Sequence, residues 1–301
     1  MTTINITLTF DDAHDAHLDV ALPLLNQHRL PATFYIDFLS TSTTRRRAEW
    51  RRAAIDGHEL GNHSLFHPGY PPASHVRQGN NLALYTLDRM RLELQVANVL
   101  LAEFDGCSRR TFAYPNANPV LGDVGYGKKL LRLLGWDRTR LNGWIDRCGV
   151  DFGATRRNYQ SVVERLFFAA RGGVPSKWPE SYDRHFVPCF CGDQNNLGGL
   201  LRFVDRMVAA RSWGVFMFHN IGPGPKFSCN AEVFRHFIAR LASDSRVAVK
   251  SFYDAACDLW PPVETTSAAT TDTDVELAAR IDPRDSSGEP EATPADDVAR
   301  R

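Results

Sequence analysis

Apolar and polar residues alternate at the start of the chain. Ile4, Ile6, Leu8 and Phe10 are separated by Asn5, Thr7 and Thr9, the period of two that marks a strand with one face in a core. Residues 18–27 follow with helical spacing in spite of Pro23, and residues 32–38 (ATFYIDF) are rich in the β-branched and aromatic side chains of a second strand. A basic amphipathic segment at 45–55 stops before Gly57, and residues 59–64 predict a short third strand or its exit loop. The clearest helix is 84–104, where Leu87, Met90, Leu94, Ala97, Leu101 and Phe104 recur every three or four positions. Beyond it the pattern predicts strands at 111–114, 186–191, 215–218 and 247–252, and helices at 128–134, 162–170, 197–210 and 231–241.

Strands alternating with helices build a parallel sheet covered by helices. Roughly seven or eight such units in the first 260 residues favour a barrel over an open sheet. Residues 261–301 break the pattern: they are rich in Thr, Ser, Pro, Asp and Ala with almost no large apolar side chain. Such a stretch buries too little surface to offset its ordering entropy. The expectation is a folded domain over 1–260 and a disordered acidic tail over 261–301.

Composition adds limits. With 43% apolar and 11% aromatic residues in 301, the chain has material for a large core. Its 35 Lys and Arg balance its 35 Asp and Glu, but from Pro261 onward four Arg face ten Asp and Glu, a net of −6 that leaves +6 on the rest. That bias is too mild for a nucleic-acid footprint. No run of about 18 apolar residues offers a membrane span, and the opening MTTINITLT lacks the parts of a secretion signal, so the expected location is cytoplasmic. Six cysteines (Cys107, Cys148, Cys189, Cys191, Cys229, Cys257) without a CxxC pair indicate neither a zinc ribbon nor a disulfide framework.

In a barrel of this kind, reactive groups sit where strands end. After the first strand come two adjacent carboxylates, Asp11 and Asp12, one able to bind a cation while the other keeps its charge for proton transfer. After the third come His63 and His67, four residues apart, a spacing that places both rings on one face of a single helical turn, within reach of one ion. A carboxylate and two neutral imidazoles leave coordination positions open, as suits a borderline divalent metal that activates water. Tyr114-Pro115-Asn116 follows another strand, where the proline can aim the Asn116 amide into the mouth as an oxyanion donor. His219 ends the apolar run 215–218 and is placed to act as a general acid.

Taken in order, TFDD at 9–12, GHELGNHSLFHP at 57–68, FAYPN at 112–116 and FHNIG at 218–222 resemble the successive motifs of the polysaccharide deacetylases, the NodB-homology carbohydrate esterases. The resemblance runs from about residue 4 to about residue 260. It implies a distorted (β/α)7 barrel whose ion, zinc first with cobalt or manganese as alternatives, is held by Asp12, His63 and His67. It also implies Asp11 as general base, His219 as general acid, and Tyr114, Pro115 and Asn116 around the oxyanion. The implied substrate is an acetylated carbohydrate, the acetyl group on nitrogen in the first instance. The third motif departs from the family, with Ala113 where an Arg commonly tethers the base, and Arg171 is the candidate replacement. A clear fourth motif is also absent, and Asp193 is the candidate to orient His219.

The same site on another substrate, an O-acetyl ester or a non-sugar amide, stays open, as does a carbohydrate-binding protein that has lost catalysis. His14, His17, His58 and His75 read as solvated loop or helix residues, and Trp136, Trp144, Trp178 and Trp213 as core. Oligomeric state is not legible in the chain.

Overall fold

The computed structural model describes residues 3–71, 76, 78–125, 130, 133, 153–224 and 227–262. The tail from residue 263 onward, most of the helix expected at 128–134, Cys148, His75, Trp136 and Trp144 lie outside the described residues. Chain contacts divide the protein after Pro261, and the sheet, its helices and the cleft all belong to the first unit.

Strand β1 (Ile4–Asp11) is the centre of the architecture. Its outward residues Ile4, Ile6, Leu8 and Phe10 enter the largest apolar cluster together with residues of the surrounding helices. On its other face Thr7 accepts a hydrogen bond from the Trp213 indole at 3.0 Å, and the Thr9 hydroxyl donates to the Phe216 carbonyl at 2.7 Å. Two of the three polar residues of the alternation, Thr7 and Thr9, are therefore buried too. The next segment starts as a π-turn (His17–Ala21) and becomes helix α1 (Leu22–His28), with Pro23 in its first turn, where a missing N–H costs nothing.

Strands β2 (Thr33–Ile36), β3 (Glu59–Asn62) and β4 (Thr111–Ala113) add in parallel on one side of β1, with helices α2 (Thr41–Arg45), α3 (Arg47–Ile55) and α4 (Leu87–Asp105) in the connections. Thr86 caps α4 by accepting from the Arg89 amide, and Gly106 ends it at φ 70°, a conformation glycine adopts without a steric penalty. A small antiparallel pair, β5 (Val120–Leu121) with β6 (Arg157–Asn158), stands apart from the sheet. Strands β7 (Ala169–Arg171), β8 (Phe190–Cys191) and β9 (Gly214–Phe218) complete the sheet order β7-β4-β3-β2-β1-β9-β8. A parallel pair β10 (Asn220–Ile221) and β11 (Ser228–Cys229) comes next, and β12 (Val247–Val249) pairs with the first half of β1. The ring closes through the chain just before β8: the Gly172 amide donates to the Val187 carbonyl at 2.8 Å and the Val187 amide to the Ala170 carbonyl at 2.9 Å. The result is the expected distorted (β/α)7 barrel.

Two expected elements change. The helix read at 162–170 ends at Leu166, and Ala169–Arg171 is a strand paired with β4. The strand read at 247–252 ends at Val249, and Ser251 caps a helix, Phe252–Leu259. Among the described residues no helix is long and apolar enough to cross a membrane.

Candidate active site

A regular strand sends Asp11 and Asp12 to opposite faces. Here β1 ends at Asp11, and Asp12 (φ 71°) and Ala13 (φ 44°) are left-handed, so the chain turns at once and both carboxylates line one cleft. Asp11 is 3% exposed, and its Oδ2 accepts a hydrogen bond from Arg171 Nη2 at the end of β7. The expected tether is thus in contact, although 160 residues separate the pair.

His63 follows β3. Its Nδ1 lies 2.9 Å from the Ala113 carbonyl, which can only accept, so Nδ1 carries the proton and Nε2 is turned to the carboxylates. Nε2 stands 3.4 Å from Asp12 Oδ1 and 4.0 Å from Asp11 Oδ2. His67 Nε2 stands 3.2 Å from the same Asp12 Oδ1. The two rings do not share a helical turn: Ser64 (φ 69°) and His67 (φ 42°) are left-handed, and this loop brings the ring centres to 4.9 Å.

One ligand atom from each of Asp12, His63 and His67 lies within 4.8 Å of the others, so the three could hold one metal ion. The donor set fits such an ion. Asp12 Oδ1 is buried without a hydrogen-bond partner, and a carboxylate oxygen with two imidazoles is a ligand set for a borderline divalent cation. Burial opposes ionisation of Asp12, but His63, His67 and His219 together hold its carboxyl well below the usual range. For His63, burial resists a second proton while Asp11 and Asp12 favour it, and the balance is upward.

The far wall carries His219, just after β9. Its Nδ1 is 2.6 Å from Asp193 Oδ2, and its backbone N–H donates to Asp193 Oδ1 at 3.1 Å. Burial alone disfavours the imidazolium, yet the Asp193 bond and the charges of Asp11 and Asp12 raise its pKa to about 9. Beneath it His17 bonds the His219 carbonyl through Nε2. His17 is fully buried, and burial pushes its pKa down to about 3, so it is neutral, contrary to the solvated position expected for it. His58 is also buried, against Asn26 Oδ1 at 2.9 Å.

These groups open on a cleft of about 590 Å³. Tyr114, buried among Phe112, Tyr159 and Phe186, lines it together with Asn116. Pro115 starts a turn in which Asn116 is left-handed at φ 54°. The Asn116 side chain donates to the Pro68 carbonyl at 3.4 Å, linking the third motif to the second. Among the cleft residues not singled out from sequence are Asp37 and Leu39. Asp37 directly follows β2 and is pushed up to about 7 by burial and then by the charge of Asp12, a strand-end carboxylate that the rule used for Asp11 and Asp12 would have found. Leu39 stands exposed at the opening. Trp213 is core, as expected, and Trp178 packs on Phe203.

The class this fold and cleft define is a closed parallel α/β barrel with an Asp-His-His cluster at the carboxyl ends of its strands. Residues 2–125 match the family Polysaccharide deacetylase. A chitooligosaccharide deacetylase of Bradyrhizobium sp. (strain ANU 289) is 40% identical over 68 residues, 22% of this chain and 30% of that protein. One from Rhizobium leguminosarum bv. trifolii is 40% identical over 65 residues, 21% of this chain and 29% of that protein. The match therefore spans less than a third of the length of these curated relatives. A solved structure, a candidate polysaccharide deacetylase from Mycobacterium smegmatis, has the same fold at a TM-score of 0.51 and 16% identity, covering 84% of this chain and 89% of that one.

Proposed function

We propose that the protein is a divalent-metal-dependent hydrolase that removes acetyl groups, in the first instance N-acetyl groups, from a carbohydrate. The observation that carries the reading is the convergence of Asp12, His63 and His67 beside a second carboxylate, Asp11, that contributes no atom to the cluster. The names of the two curated relatives support the substrate class.

An ion at the cluster, zinc by its donor set with cobalt and manganese as alternatives, would polarise the acetyl carbonyl and acidify water. The remaining work falls to side chains of the cleft. Asp11 accepts the proton of the attacking water, and the Arg171 bond keeps its carboxylate aimed across the mouth. His219, held in the charged form beside Asp193, delivers a proton to the departing sugar nitrogen, without which an amide cannot leave as an amine. The Asn116 amide, in the turn after Tyr114 and Pro115, donates to the oxygen on which charge develops.

The test is acetate release from chitooligosaccharides by purified protein of measured metal content. Release that stops with chelator and returns with zinc or cobalt is expected. Full release from metal-free protein would overturn the reading, and release only from acetyl esters would move it to an O-acetyl esterase.

A further inference from the structure

The loop that carries His63 and His67 has two non-glycine residues, Ser64 and His67, in the left-handed region, which side chains rarely adopt. Such a loop keeps its shape only where its surroundings hold it. Asn80 Nδ2 donates to the Phe66 carbonyl at 3.0 Å, and three side chains accept from amides of the loop. Asn62 Oδ1 accepts the Ser64 amide at 2.7 Å, and Ser64 Oγ accepts the His67 amide at 3.0 Å. The third is Glu93 of α4, whose Oε1 accepts the Phe66 amide at 3.2 Å.

Glu93 is the unusual member. It is 5% exposed on a helix whose other buried residues are apolar: Met90, Leu94, Ala97, Leu101 and Phe104. Burying a carboxylate is costly unless its oxygens find donors, and here burial pushes its carboxyl above the usual range while the Tyr85 hydroxyl, the Phe66 amide, the Arg89 charge and the Leu65 amide counter it. The same helix meets Asn62 as well: Asn62 Nδ2 donates to the Leu94 carbonyl at 3.1 Å and to Asn98 Oδ1 at 2.7 Å. One face of α4 thus grips both ends of the loop.

We propose that Glu93 is a positioning residue for the Asp12-His63-His67 cluster: by holding the Phe66 amide it sets the backbone of His67 and so the approach of His67 Nε2 to Asp12. This rests on the reading that the cluster holds a divalent ion. A residue that only stabilises the helix would lower the unfolding temperature of the metal-free protein and leave metal affinity alone. A positioning residue moves the affinity.

The experiment measures the zinc dissociation constant of the full chain by competition with a chromophoric chelator, alongside exchange of the Phe66 amide and unfolding without metal. Glu93→Ala is expected to weaken zinc binding about 10- to 100-fold, the usual loss when the support of a ligand is removed, with faster Phe66 exchange. Glu93→Gln, which keeps an acceptor oxygen at the same reach, restores most of the affinity. Should Glu93→Ala not fold, Glu93→Asp carries the test, since it keeps the charge and withdraws it by one methylene. Wild-type affinity in a folded Glu93→Ala or Glu93→Asp protein overturns the proposal. Absence of zinc binding by the wild-type chain would instead sink the metal reading on which it rests.

Discussion

Residues 3–125 and residues 153–262 each supply one wall of the cleft, and they build it by different means. In the first stretch the groups lie close in sequence, Asp11 beside Asp12 and His63 near His67, and the backbone around them is contorted: Asp12, Ala13, Ser64, His67, Asn116 and Ala117 all have positive φ. In the second stretch Arg171, Asp193 and His219 come from three strand ends, and among its described non-glycine residues only Gln194 and Arg211 have positive φ. There charge pairs hold the groups, Arg171 to Asp11 and Asp193 to His219. Ligands for one ion must converge to within a few ångströms, which calls for a tightly wound chain. On the proposed function the groups that move protons, Asp11 and His219, need a set charge and direction, which a partner from another strand, Arg171 or Asp193, supplies.

The comparison predicts all-or-none losses on the first wall and graded, pH-dependent ones on the second. The largest effect is expected for Asp12→Ala or His63→Ala. Either should leave the purified protein without stoichiometric metal and lower acetate release by about a thousandfold or more, since several kcal/mol of carbonyl polarisation go with the ion. Elemental analysis with an acetate assay checks both parts, and full metal content in Asp12→Ala would remove that residue from the cluster.

Asp11→Asn separates the two roles of the paired carboxylates. The ion should stay, while the rate falls about 10²- to 10⁴-fold, the usual contribution of a general base. If metal is lost together with activity, Asp11 is a ligand and the division drawn at the end of β1 is wrong.

Asp193→Asn tests the second wall. The Asp193 bond favours protonated His219, whose pKa stands at about 9 against an ordinary 6.5. A general acid works while protonated, so activity falls as pH rises through its pKa. Removing the partner's charge lowers that pKa, and the alkaline limb of the kcat profile should move to lower pH by about one unit or more. An unmoved limb in a folded, metal-loaded variant would take His219 out of the proton transfer.

Much of the first wall was legible because its signals are local. β1 and α4 follow from side-chain period, and the cluster from strand-end residues at short spacing. The conformation of the His63–His67 loop was not, because nothing in Ser64 or His67 as residue types announces a positive φ, and the spacing alone reads as a helical turn. On the second wall β7 was read as the end of a helix, since Phe-Phe-Ala-Ala-Arg carries no period and its extended form comes from pairing with β4 and Val187. Arg171 and Asp193 could be named as candidates only from the departures in the third and fourth motifs. Their partners lie on other strands, and no local pattern encodes such pairs.

The smallest expected effect falls on His17, which joins the walls from beneath by bonding the His219 carbonyl. Its pKa is about 3 in the folded chain against 6.5 for an ordinary imidazole, because full burial disfavours the charge. The unfolded chain therefore binds the extra proton between those values. The contribution of neutral His17 is fully present above about pH 6.5 and is lost as pH falls through that window toward 3. Between pH 7 and pH 5 this amounts to about 2 kcal/mol. His17→Gln cannot titrate and keeps an amide N–H for the His219 carbonyl, so its denaturant midpoint should decline less over that range than the wild type's. Equal declines would mean that His17 is already charged in the folded protein, and the second wall would then lack the neutral support that leaves Asp193 as the main partner of His219.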